Sequence, residues 1–141
     1  MNGWIRFTCA LVAMVLLSAT PKDFAYELEG VWIRIDDRYE GMRIQVYHEE
    51  NGYVGRLLSV PPEAVSWGFK AGDVKWKDIE KYSESNYTYR DLTIRNAGST
   101  LYTHYDVMYL EFLSENKIRT RDYLDNLLVG SDQTWVREQP M

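Results

Sequence analysis

The sequence holds a single cysteine, Cys9. No intrachain disulfide can form, so the fold has to be held by packing. Histidine is almost as scarce, with only His48 and His104. A zinc centre recruits three or four His or Cys ligands, so no metal is expected, and no other cofactor either. Clusters of cations are missing too: 16 Lys and Arg stand against 21 Asp and Glu, a formal charge of −5. Phosphate backbones are bound by neutralising several charges at once, which argues against nucleic acid and against anionic membrane surfaces. There is no Gly-x-Ser-x-Gly elbow and no Gly-rich phosphate loop. The acid pairs Asp36-Asp37 and Glu49-Glu50 lie in turn-like stretches and read as solubilising charge rather than as the paired carboxylates of a glycosidase. "DDRYEG" lacks the ligand spacing of a calcium loop. The chain reads as a non-enzyme.

Long hydrophobic runs are also lacking, with one exception near the start. "FTCALVAMVLLSAT", 14 residues lying between Arg6 and Lys22, carries no charge. It falls short of the roughly 20 apolar residues of a spanning helix and suits the apolar core of a secretory signal. Residues 1–19 are therefore expected to be a signal peptide, cleaved after Ala19 or, at a poorer site, after Ala25. The mature chain is expected to be secreted or periplasmic, without membrane insertion. Cys9 departs with the signal, and so does Arg6, which moves the formal charge from −5 to −6. Residues 26–139 are expected to form one domain. Within it, Asn86-Tyr87-Thr88 is an N-glycosylation sequon, relevant only in a source that glycosylates exported proteins.

What the sequence has in plenty is aromatic residues, 14% of the chain, eleven of them Tyr. Such residues favour strands. Turn signals at "DDRYEG" (36–41), "EENG" (49–52), "NAGS" (96–99) and "SENK" (114–117) divide the chain. Asn51-Gly52 is the strongest of them, expected as the two-residue loop of a tight hairpin. Between the signals lie eight short segments rich in Val, Ile, Tyr, Thr and Trp. Met42, Ile44 and Val46 alternate with Arg43, Gln45 and Tyr47. Val74 and Trp76 alternate with Asp73, Lys75 and Lys77, which predicts one covered face and one wet face. Crossover helices have no room, so the sheet is antiparallel. "PPEAVSWGFK" (61–70) predicts a short helix or loop between the third and fourth strands, and "DYLDNLLVG" (122–130) a second helical turn. The expected fold is all-β: an eight-stranded antiparallel up-and-down barrel, closed by pairing its first and last strands.

"GVWIRI" followed by "GMRIQVYHEENGYVGRL", with "GSDQTWVRE" at the other end, resembles the lipocalin-like, or calycin, barrels. In these a Gly-x-Trp opens the first strand and an Arg from the last strand lies across that Trp at the closed end. The resemblance implies that Gly30, Trp32 and Arg137 form such a clasp. "GDVKWKDI" and the Gln-Thr-Trp-x-Arg ending also resemble a group of small secreted bacterial domains of unassigned function. "TRDY" (120–123) departs from the family's Thr-Asp-Tyr box by an extra Arg, and the mature chain is short. Both departures bear on the size of the cavity rather than on the barrel. Independently of the family, an Arg over an indole face contributes about 0.5 to 2 kcal/mol.

In a barrel, the 61–70 connection would sit at one mouth, where pockets form. Trp67, Phe69 and Trp76 are therefore the expected ligand-binding residues. The competing reading is that they plug the interior, since small barrels are often filled by side chains. Two functions fit these readings. The first is non-catalytic binding of a small apolar or amphipathic molecule. The second is a filled barrel that meets a protein partner through its surface, as an inhibitor or envelope interaction module.

Overall fold

A computed structural model of the chain describes residues 26–124 and 127–139. The expected signal peptide lies outside the described residues. Eight strands run β1 (Gly30–Ile35), β2 (Arg43–Glu49), β3 (Gly52–Ser59), β4 (Val74–Ser83), β5 (Asn86–Ala97), β6 (Thr100–Ser114), β7 (Lys117–Leu124) and β8 (Leu127–Arg137). Each pairs antiparallel with the next, and β1 pairs with β8, closing the barrel. Closure leaves no free sheet edge. The single helix among the described residues, α1 (Pro62–Trp67), joins β3 to β4; it starts at a proline and ends at Gly68 in a left-handed conformation.

Three local expectations are corrected. The span 122–130 continues β7 and begins β8, so it carries no helical turn among the described residues. The β2–β3 hairpin pairs Glu49 with Gly52, which makes Glu50-Asn51 the loop. Gly52, at φ +122°, supplies the positive angle, and Asn51 does not. In β4, Lys75 is buried as well as Trp76. The strand is irregular there: pairing with β3 shifts register between Gly55 and Arg56, so the period-two pattern breaks and Lys75 turns inward.

The strand directions sort the connections into two ends. The turns β2–β3, β4–β5 and β6–β7 lie with the chain segment before β1 and the exit from β8. The connections β1–β2, β3–β4 (with α1), β5–β6 and β7–β8 lie at the other end. The first end is sealed. Arg137 pairs in register with Trp32, and its guanidinium carbon sits 4.3 Å from the Trp32 ring centre. It also donates to the carbonyls of Glu29 (2.6 Å), Glu115 (3.2 Å) and Glu27. The Trp32 indole N–H donates to the Leu28 carbonyl at 2.9 Å, and its ring meets Phe112 edge-on. Gly30 completes the group, because a Cβ there would lie 2.7 Å from Arg137 Nη1.

Candidate functional site

The barrel interior is layered. Above the sealed end, Trp76 of β4 packs against Tyr89 of β5 and Trp135 of β8, with ring centres 5.0 and 5.1 Å apart. These three rings are almost wholly buried and form a floor across the middle. Over that floor, at the end bearing α1, a cavity of about 680 Å³ opens to solvent. Its apolar walls are Phe69, Leu92 and Ile94, and Tyr39 from the β1–β2 loop meets Phe69 edge-on at 5.9 Å.

The rest of the lining is charged or polar. Arg34 of β1 lies 5.6 Å from the centre of the Trp135 ring and is bonded to Asp37 at 2.7 Å. Lys75 reaches Asp91 at 2.8 Å, donates to the Leu92 carbonyl at 2.7 Å, and sits 4.8 Å over Phe69. Burial pushes Lys75 down and Asp91 up, each toward its neutral form, and their mutual contact opposes both shifts. Arg38 of the β1–β2 loop, Thr93 of β5, Asp122 of β7, and Gln133 and Asp132 of β8 complete the wall, with Asp132 paired to Arg119 and Arg121. Burial raises the Asp122 carboxyl above the usual range, reinforced by Asp106 and Asp91. The Tyr89 hydroxyl, pushed well above its ordinary value by burial, keeps its proton.

Of the aromatic residues expected at a mouth, Phe69 lines the cavity and Trp67 stands at its rim, with the Arg38 guanidinium 5.6 Å from its ring. Trp76 does not line it. The residue sits in the floor beneath, because inward positions of β4 at that level face the rings of β5 and β8. Gly30, Trp32 and Arg137 belong to the opposite end. The interior charges Arg34, Lys75, Asp91 and Asp122 are not among the residues expected from sequence. A signal for three of them is present, however. Arg34 shares the parity of Trp32, Asp91 that of Tyr87 and Tyr89, and Asp122 that of Ile118 and Thr120, so each falls on a core-facing position.

A second hollow of about 340 Å³ lies near the sealed end, between Tyr26, His48, Tyr53 and Tyr87. Burial and a hydrogen bond to Glu27 raise the Tyr53 hydroxyl there to about 12. Among the described residues, no three His, Cys, Asp or Glu side chains converge on a metal-sized site. No family model matches the chain, and neither a curated protein nor a solved structure does.

Proposed function

We propose that this protein binds a small amphipathic molecule without chemistry, in the open end of its barrel, and works as a secreted or periplasmic carrier. The observation that carries the reading is the cavity itself. Its volume, about 680 Å³, falls within the roughly 300 to 1,000 Å³ of small-molecule sites. The lining joins a few polar groups to an apolar wall, which is how such sites fix orientation while burying a ligand body. The lining also argues against catalysis. Arg34 and Lys75 are tied to carboxylates, and among the described residues no activated nucleophile with a base in reach faces the hollow. The clasp of Gly30, Trp32 and Arg137 supports kinship with the lipocalin-like barrels.

The surface reading draws on a different observation. Val65, Leu101 and Tyr102 are each more than half exposed beside the mouth. They are compatible with a partner protein, but the cavity has no part in that account.

The test is a screen of lipids and metabolites against the purified protein, read by unfolding temperature and Trp fluorescence. A binder of the folded state raises the unfolding temperature by mass action, and the nearby Trp67 and Trp135 report on the cavity. A broad screen with no shift in either signal would end the carrier reading in favour of the surface one.

A further inference from the structure

The charges around the open-end cavity are not matched pair by pair. Arg34 is engaged by Asp37 and Lys75 by Asp91. Arg38 of the β1–β2 loop also lines the hollow, its guanidinium over the rings of Tyr39 and Trp67 at 4.7 and 5.6 Å and without a carboxylate partner among the described residues. Asp122 lines the hollow, and among the described residues no cation pairs with it. Its charged neighbours carry its own sign: Asp91 of β5 and Asp106 of β6, which face each other in register. Asp106 is already engaged by the Thr93 hydroxyl at 2.9 Å and by His104 Nε2 at 3.0 Å. Asp122 is left over.

A second, independent observation concerns the floor. Tyr89 is 1% exposed, and its hydroxyl makes no well-formed hydrogen bond among the described residues. The adjacent Thr120 hydroxyl donates instead to Gln133 Oε1 at 3.2 Å. The Tyr89 hydroxyl lies in the electrostatic reach of Arg34, Asp91 and Asp122, all three of them cavity residues. A buried hydroxyl without a partner destabilises the fold unless something else engages it. The unpartnered hydroxyl belongs to the floor of the cavity whose wall holds the unpaired carboxylate.

We propose that the cavity takes a small protonated amine with an apolar body, its ammonium group held by the Asp122 carboxylate and the Tyr89 hydroxyl oxygen. The body lies against Phe69, Leu92 and Ile94. This deepens the carrier reading and rests on it. An ammonium supplies the missing cation through charge-assisted hydrogen bonds and offsets the desolvation that burdens Asp122. An anion of the same shape would meet Asp122 and Asp91, with Arg34 and Lys75 already engaged by carboxylates and only Arg38, its guanidinium over Tyr39 and Trp67, left to receive it. A neutral molecule would leave Asp122 as it is.

Three probes of one shape test the ranking: 2-phenylethylamine, 2-phenylethanol and 3-phenylpropanoate, titrated calorimetrically into the purified protein at neutral pH. The amine is expected to bind about tenfold or more tighter than either of the others, the scale of a single charge-assisted contact. Asp122→Asn is expected to remove that preference, with amine affinity falling about tenfold while the alcohol is unaffected. Tyr89→Phe should weaken the amine selectively by a smaller factor. Equal or tighter binding of the alcohol or the propanoate by the wild type would overturn the proposal and leave the carrier reading standing. Silence from all three, together with an empty metabolite screen, would overturn both. The wild-type ranking decides the matter even if a variant fails to fold.

Discussion

Arg137 holds the sealed end through two kinds of contact at once, a stacked guanidinium over Trp32 and hydrogen bonds to carbonyls of the segment before β1 and of the β6–β7 turn. Removing its side chain loses both, and the expected cost for Arg137→Ala is about 1 to 3 kcal/mol in denaturant unfolding. Combined with Trp32→Leu, the loss should be smaller than the sum of the two singles, as it is for residues in contact. Strict additivity would contradict the geometry. Asp122 makes the opposite prediction. Its folded-state carboxyl is raised by burial and by like charges, so its ionised form destabilises the fold above that raised value. As pH falls through it, the folded protein takes up the proton first and the penalty is relieved. Asp122→Asn should therefore raise stability near neutral pH, and the gain should shrink on acidification. A stability loss at neutral pH would contradict an unpaired Asp122. The clasp residues stand out in the sequence because Gly-x-Trp and Trp-x-Arg are short, ordered and chemically matched. The interior charges do not, because a charged residue in an alternating strand reads as wet. Parity is the better guide: Arg34, Asp91 and Asp122 all occupy positions that their strand neighbours mark as inward.

At the scale of elements, strand count, antiparallel order and the helix after β3 follow from turn chemistry and alternation, which are local. Irregular pairing is not local, and it is where the sequence pattern and the structure part. The shift between β3 and β4 depends on what β3 offers to Trp76. Gly55 is the close approach: a Cβ there would lie 2.8 Å from Ile44 Cδ1 and 3.0 Å from Trp76 Cβ. Gly55→Ala should overpack the barrel wall and lose about 1 to 3 kcal/mol, measured by chemical denaturation. A neutral result would mean that β4 can move outward at this level. Trp76 itself bridges β4 to β5 and β8 through Tyr89 and Trp135. Its truncation to Ala should cost about 3 to 5 kcal/mol, the range for large aromatic deletions in cores. A residue at the mouth would lose much less. A small loss would return Trp76 to the rim and open the floor.

At the scale of the whole molecule, the two ends divide the work. One is fastened by β1–β8 pairing, by the Trp32–Arg137 contact and by Arg43 reaching Glu138 at 2.8 Å. The other carries α1 beside a hollow floored by aromatic rings. A barrel filled throughout would have served a surface function equally well, so the hollow above the floor is the feature that any functional account has to explain. The most direct measurement is native mass spectrometry of the protein purified from its own source, beside a variant, Thr93→Trp, that fills the cavity wall. Comparable unfolding temperatures would establish that the variant is folded. The account predicts a small-molecule adduct on the wild type and its loss from Thr93→Trp. A wild type without adduct, or an adduct retained undiminished by the folded variant, would contradict it.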